Sequence, residues 1–139
     1  AIHHQNLCVG RGFRTLKSVS SDFFVGSSYT IFPVRPFRDT PEGHQAREIM
    51  DTYWNTAFFD PLLKGQYPGL IARDMEEFIR AGDMDAIKAP LDFVGLQHYS
   101  PSYAYPTQDN PAGAKFGPAP QEFPVTAMGW AIDPPALTE

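Results

Sequence analysis

Residues 92–100, which read DFVGLQHYS, restrict the fold of this chain more than any other segment. The apolar side chains of Phe93, Val94 and Leu96 are typical of a β-strand that is covered on both faces, as in a parallel sheet. The segment then changes to an amide, an imidazole, a phenol and a hydroxyl. Ligands of α/β folds bind at the carboxyl ends of such strands. The segment therefore predicts a buried strand whose end forms one wall of a polar-substrate pocket.

The N-terminal half of the chain predicts a helix, a strand and a second helix. Apolar residues within positions 2–16 are spaced as in an amphipathic helix, although no capping side chain precedes them. Residues 23–32 are typical of a strand, and Gly26 marks a position where another backbone can approach closely. After a loop, Thr40 supplies a hydroxyl cap, and apolar residues at intervals of three and four predict a helix over 41–58.

The C-terminal half supplies the remaining predicted elements. They are a short turn over 60–65, a helix over 68–79, a turn over 83–88, the strand over 91–99, an extended piece over 102–105, a Pro/Gly-rich loop over 106–124 and a capped turn at 133–135. Helices that separate strands in this way indicate an α/β fold with parallel strands. Because only two strands are convincing, we expect a segment of a larger barrel or open sheet, or a chain that needs a partner piece.

Composition and charge exclude several classes of protein. The net charge of -5 argues against a nucleic-acid partner, since proteins that bind nucleic acids present a basic face. No apolar run approaches the roughly 20 residues of a membrane span, so no membrane association is expected. The single cysteine, Cys8, forms no internal disulfide and fits a reducing compartment, which predicts a cytoplasmic location.

Other conspicuous side chains favour structural roles. His3 and His4 are adjacent, whereas metal-binding pairs on helices usually have i, i+4 spacing, so we expect packing and surface roles and no metal site. Tyr53 and Trp54 fall on the apolar stripe of their helix and are predicted to be core residues. Arg35 is predicted to be a solvated loop residue.

Five segments, in this order along the chain, resemble glycoside hydrolase family 1, the β-glucosidase family. They are AIHHQNL at 1–7, VGSSYTIFPVRP at 25–36, FDPLLKGQYP at 59–68, APLDFVGL at 89–96 and TAMGW at 126–130. The resemblance covers essentially the whole chain and implies a partial (β/α)8 barrel, from its fourth helix to the start of its seventh. Residues 1–139 would then be one segment of a catalytic barrel, with the 106–124 loop inside it.

The resemblance also implies retaining hydrolysis of terminal β-D-glucosidic bonds, without a cofactor. That reaction uses two carboxylates roughly 5 Å apart, one as nucleophile and one as acid/base. The family carries them in Asn-Glu-Pro and Thr-Glu-Asn-Gly motifs, and neither motif occurs here. The six glutamates lie on predicted helix surfaces, in a loop and at the terminus: Glu42, Glu48, Glu76, Glu77, Glu122 and Glu139. We therefore expect both catalytic glutamates outside this chain, and the isolated chain to be inactive.

Five residues carry over from the family pattern as candidate site residues. Tyr99 matches the tyrosine whose hydroxyl supports the nucleophile, and Trp130 matches an aromatic wall of the aglycone site. Gln97 stands where the family usually has Asn, His98 replaces a frequent Tyr at the pocket rim, and Thr30 stands where Asn is common. The expected partner is a β-glucoside or oligosaccharide substrate.

Two alternative functions remain open from the sequence. The chain could be a noncatalytic sugar-binding or interaction module derived from half a barrel, in which self-association or further barrel segments would cover the exposed sheet edges. It could also belong to a barrel glycosidase of another family.

Overall fold

The structure, a computed structural model, describes residues 1–138. Along the chain the elements are α1 (Ile2–Val19), β1 (Gly26–Ile31), β2 (Val34–Pro36), α2 (Pro41–Asp51), a π-helical segment (Thr52–Thr56), α3 (Ala57–Leu63), α4 (Gly69–Met75), a 3-10 turn (Glu76–Phe78), α5 (Asp83–Ile87), β3 (Phe93–His98), β4 (Ser102–Pro106), β5 (Ala114–Gly117) and a 3-10 turn (Pro134–Thr138). They fall into two compact units. The first unit contains Ala1–Tyr29 and Asn55–Gln97, and the second contains Thr30–Trp54 and the chain from His98 onward.

Helix α1 packs against α3 and α5 in the first unit. Gly10 lies at the closest approach, since a β-carbon built there would be only 1.9 Å from the backbone oxygen of Ala86. Two apolar clusters complete the packing, one around Phe13 and Val25 and one around Ala57, Tyr67 and Ile71. The spacing of apolar residues predicted α1 correctly, and Ala1 provides no side-chain cap, as expected.

A buried polar network joins α1 to α5 and to the loop before α4. Nδ1 of His3 lies 2.9 Å from the hydroxyl of Tyr67, and Nε2 lies 3.1 Å from a carboxylate oxygen of Asp83. The Asn6 amide donates to the Tyr67 oxygen at 3.3 Å and to the Ala57 carbonyl at 2.9 Å. All of these groups are satisfied when Tyr67 donates its proton to Nδ1 and Nε2–H donates to Asp83. The packing role predicted for His3 is thereby confirmed.

Strand β3 is fixed at its start by backbone and side-chain bonds to the segment that leads into β1. A carboxylate oxygen of Asp92 accepts the Val25 N–H at 2.7 Å and pairs with the Lys17 ammonium at 2.7 Å. The Asp92 N–H in turn donates to the Val25 carbonyl at 2.9 Å. Hydrogen bonds from Lys17 and from Val25 N–H hold the pKa of Asp92 below its usual value. The ionised carboxylate therefore joins α1, β1 and β3.

Gly26 allows β1 and β3 to pair closely. A β-carbon at this position would lie 2.3 Å from the carbonyl oxygen of Phe93 and 2.6 Å from its ring. The close backbone approach predicted at Gly26 is therefore confirmed, as are both strands. Burial of β3 on both faces is wrong for this chain, because Phe93, Val94 and Leu96 remain partly exposed. Covering both faces requires layers above and below a wider sheet, and β1 and β3 form a sheet of two strands.

The second unit contains a three-stranded sheet covered by α2. Strand β4 pairs with β2 in parallel, with Arg35 opposite Tyr103, and with β5 antiparallel. Val34, Ala46, Ala104 and Ala114 form the buried core between this sheet and α2. Helix α2 begins as predicted. The Thr40 hydroxyl accepts the Gly43 N–H at 3.1 Å, and Pro41 occupies the first turn.

Several sequence predictions in this region are wrong. The residues of β2 and β5 were predicted to be loop. Both strands are short, and prolines, which lack a backbone N–H donor, occur at β2. Arg35 is in β2 and forms an ion pair with Asp133, so it is not a solvated loop residue. Tyr53 and Trp54 are partly exposed rather than core residues, since the helix changes to i→i+5 bonding at Thr52–Thr56 and rotates them off the apolar stripe.

Of the helices in residues 1–138, none combines the length and apolar content needed to cross a bilayer.

We expect Gly10→Ala to lower the free energy of unfolding by about 1–3 kcal/mol, because α1 and α5 must separate to admit the methyl group. Gly12→Ala is the matched control on the same helix, since a β-carbon there meets nothing within 4 Å. It should be neutral or stabilising by up to about 1 kcal/mol. Urea unfolding of both variants measures the difference, and equal stability would show that the helices do not approach at Gly10.

The Asp83 network predicts a dependence of stability on pH. A hydrogen bond from His3, helped by the Arg80 N–H, lowers the pKa of Asp83. The stabilisation is therefore present above the unfolded value of about 3.9 and is lost as the pH falls through the lower folded value. Asp83→Asn should lower the free energy of unfolding at neutral pH, and its difference from the wild type should shrink below about pH 4.

Thermal unfolding over this pH range measures the effect of Asp83→Asn. The control is Asp109→Asn, which removes the partner of Lys115 from an exposed ion pair. Its effect should be smaller at every pH, because exposed ion pairs are screened by solvent. A difference between Asp83→Asn and the wild type that does not change with pH would contradict the assigned ionisation.

Candidate functional site

Tyr99 and Trp130 form an aromatic pair in the second unit. Tyr99 is the first residue after β3, and its ring centroid lies 5.6 Å from that of Trp130 at an interplanar angle of 49°. The side chains remain open to solvent, with 55% of Tyr99 and 40% of Trp130 exposed. A tilted, partly exposed aromatic pair that includes a phenol offers both a stacking surface and a hydrogen-bonding group. Such a surface suits a ligand with apolar faces and polar edges, as sugars and aryl groups have.

A tight hairpin, residues 124–132, presents Trp130. Val125 pairs antiparallel with Ala131, and the Ile132 N–H donates to the Pro124 carbonyl at 2.8 Å. Gly129 turns the chain with φ of +78°, a conformation that residues with a β-carbon rarely adopt. The hairpin is therefore ordered by its own backbone, although it belongs to no extended sheet.

The Thr126 hydroxyl organises the tip of this hairpin. Its oxygen accepts the backbone N–H of Met128 at 3.3 Å and that of Trp130 at 3.2 Å. The backbone N–H of Thr126 also donates to the Trp130 carbonyl at 2.9 Å. Thr126 is thus bonded to both backbone polar groups of Trp130. Sequence analysis did not identify it, although a threonine four residues before a glycine-flanked tryptophan is a signal of such a turn.

Gln97 lies in the first unit and bonds to a residue that sequence analysis also missed. Its amide nitrogen donates to the hydroxyl of Ser28 on β1 at 3.1 Å. A bond from one end of the carboxamide fixes the orientation of the whole group, so the oxygen faces a defined direction. The signal for Ser28 was its position two residues before Thr30, which places both on one face of β1.

His98 and Thr30 are placed less specifically. Both are partly buried, His98 as the last residue of β3 and Thr30 within β1. Nδ1 of His98 is buried, and among residues 1–138 it has no hydrogen-bond partner. An unpaired buried nitrogen is costly unless a further group reaches it.

The glutamates in the described part of the chain are spread over separate elements. Glu42 and Glu48 lie exposed on α2, Glu76 and Glu77 on the 3-10 turn after α4, and Glu122 in a loop, as predicted. The prediction for Glu139 lies outside the described residues. Within residues 1–138, no group of three or more His, Cys, Asp or Glu side chains could hold a metal ion.

A family model described as glycosyl hydrolase family 1 matches residues 1–139. The chain belongs to glycosyl hydrolase family 1. It is 33% identical to a β-glucosidase of an Agrobacterium species, over 99% of this chain and 31% of that protein. The structure of virulence factor SghA from Agrobacterium tumefaciens has a TM-score of 0.86 and 29% identity, over 99% of this chain and 32% of that one. SghA was also solved with its substrate analog salicin, and that structure has a TM-score of 0.85 and 30% identity, over 98% of this chain and 31% of that one.

The chain thus spans about a third of the length of the family 1 relatives it matches. The resemblance indicated by the five sequence segments is confirmed, and so is the α/β fold of a partial (β/α)8 barrel. Membership of family 1 excludes the alternative of a barrel glycosidase from another family.

Proposed function

We propose that this chain is part of a retaining β-glucosidase that hydrolyses terminal β-D-glucosidic bonds, with both catalytic glutamates contributed from outside the chain. The observation that supports this best is the partly exposed aromatic pair of Tyr99, which directly follows β3, and Trp130. The proposal is also supported by relatives named as β-glucosidases, whose matches cover nearly the whole chain. In the retaining reaction one carboxylate attacks the anomeric carbon while the other protonates the leaving oxygen. Water then hydrolyses the glycosyl-enzyme, and the second carboxylate acts as base.

In this proposal Tyr99 acts on the nucleophile. A phenol that donates a hydrogen bond to a carboxylate favours its ionised form and fixes its orientation. Trp130 lies beside Tyr99 and offers a flat ring to the aglycone. Gln97, held by Ser28 in the first unit, is assigned a contact to a polar edge of the substrate. His98 and Thr30, in the second unit, are each assigned such a contact as well.

The proposal also concerns what covers β3. Phe93, Val94 and Leu96 expose apolar surface along this strand, which supports further barrel segments or a second copy of the chain as its cover. A reducing, cytoplasmic compartment stays a prediction from the single cysteine, which is exposed on α1.

The isolated 139 residues are expected to show no turnover of aryl β-glucosides, because the reaction needs two paired carboxylates and the described glutamates are exposed and spread over separate elements. A chromogenic assay with the purified chain tests this expectation, and the encoded full-length protein is the positive control. Turnover by the isolated chain would overturn the placement of both catalytic glutamates outside it. An inactive full-length protein would overturn the proposed function itself.

Tyr99→Phe in the full-length protein should lower kcat by about ten- to a hundredfold, the range expected when a hydrogen bond to a charged group is lost. Stability should change little, because one hydroxyl is removed from a residue that is 55% exposed. Trp130→Ala should instead raise KM for aryl β-glucosides more than it lowers kcat. Tyr53→Phe, at another partly exposed tyrosine, is the matched control and should leave both constants unchanged. Unchanged turnover and pH profile in Tyr99→Phe would refute its role.

A further inference from the structure

Arg35 and Asp133 form an ion pair that joins β2 to the segment after Trp130. Their side chains are 23% and 10% exposed, so the pair is largely shielded from solvent. Ions removed from water interact more strongly than surface pairs, and a guanidinium adds directional hydrogen bonds to a carboxylate. Arg35 is also fixed by its place in β2, where it lies opposite Tyr103 of β4.

Asp133 belongs structurally to the hairpin over residues 124–132. It follows Ile132, whose N–H closes the hairpin at Pro124. On its other side, the Asp133 carbonyl accepts the Ala136 N–H at 3.1 Å and begins the final 3-10 turn. The carboxylate is therefore attached to backbone that is hydrogen-bonded on both sides, only three residues from Trp130. The position of the Asp133 side chain is therefore closely coupled to the position of the hairpin.

The opposite end of the ion pair leads back to Tyr99. Strand β4 begins three residues after Tyr99 and pairs in parallel with β2, which carries Arg35. Tyr99 is thus connected to the hairpin of Trp130 through β4, β2 and the ion pair. The side chains of Tyr99 and Trp130 also contact each other directly. A second link comes from Phe123, just before the hairpin, whose ring lies 5.8 Å from that of Tyr103 on β4.

We propose that Arg35 is a positioning residue that holds Trp130 beside Tyr99 through Asp133, and that it thereby sets the preference of the site for aryl aglycones. The inference rests on the proposed β-glucosidase function. In this proposal Arg35 acts on Trp130 through Asp133 and the hairpin. Loss of the ion pair frees the hairpin to move away, so the aglycone loses a stacking surface while the glycosyl chemistry is preserved.

The test uses Arg35→Met and Asp133→Asn in the full-length protein, assayed with 4-nitrophenyl β-glucoside and with β-glucosyl fluoride. Each variant should raise KM for the aryl substrate about tenfold, the effect of losing one charge-assisted hydrogen bond, with kcat within about twofold. The fluoride has no aglycone ring, so its kinetic constants should stay as in the wild type. Lys115→Met removes an exposed ion pair in the same unit and should leave the kinetic constants for both substrates unchanged.

Combined variants show whether Arg35 acts through the named partners. Arg35→Met together with Asp133→Asn should match Arg35→Met alone, since Asp133 has already lost its ion-pair partner in that variant. In a Trp130→Ala background, Arg35→Met should have no further effect on KM for the aryl substrate. Additive losses in either combination, or equal losses with both substrates, would overturn the positioning role.

A fluorescence measurement tests the anchor without catalysis. It uses the full-length protein, in which the fluorescence lost on Trp130→Phe isolates the emission of Trp130. Arg35→Met should increase acrylamide quenching of this emission about twofold, because a released hairpin is more open to solvent. Equal quenching in folded Arg35→Met and Arg35 chains overturns the proposal. If the full-length wild type hydrolyses neither substrate, the proposed function fails and this measurement alone decides whether Arg35 anchors Trp130.

Discussion

The close pairing of β1 with β3 is the constraint on which the first unit depends. Gly26 admits the Phe93 backbone at a distance that any β-carbon would prevent, and Asp92 bonds to both Lys17 and Val25 at the start of β3. These contacts fix where β3 begins. The strand then continues to Gln97, whose amide bonds to Ser28 on β1 within the same unit.

Within the second unit, order at the aromatic pair comes from polar bonds rather than from apolar burial. Trp130 lies on a hairpin whose backbone is bonded at Thr126 and at Pro124, and the following Asp133 pairs with Arg35 of β2. Directional bonds of this kind allow an aromatic side chain to remain exposed and still hold one orientation. An exposed but ordered ring is what a stacking surface for a sugar or aryl group requires.

Much of the fold followed from the sequence wherever a local pattern was strong. The apolar period of α1, the Thr40-Pro41 start of α2 and the glycine in β1 were each predicted correctly. Strands β2 and β5 were missed because short strands among prolines and glycines are stabilised by pairing with β4, a long-range interaction without a local signal. Ser28 and Thr126 had only weak local signals. Asp133 was predicted to begin a turn, but its pairing with Arg35 was not predicted because the two residues are distant in sequence.

The sequence alone therefore determined the family, the α/β class and the identity of Tyr99 and Trp130 as site candidates, because these depend on residue types in a fixed order along the chain. The tertiary structure decided which side chains meet. It placed the ring centroids of Tyr99 and Trp130 5.6 Å apart, paired Arg35 with Asp133 and left the apolar faces of β3 partly exposed. Such contacts join residues up to about a hundred positions apart, and loop closure between them is governed by the packing of the intervening elements rather than by local propensity.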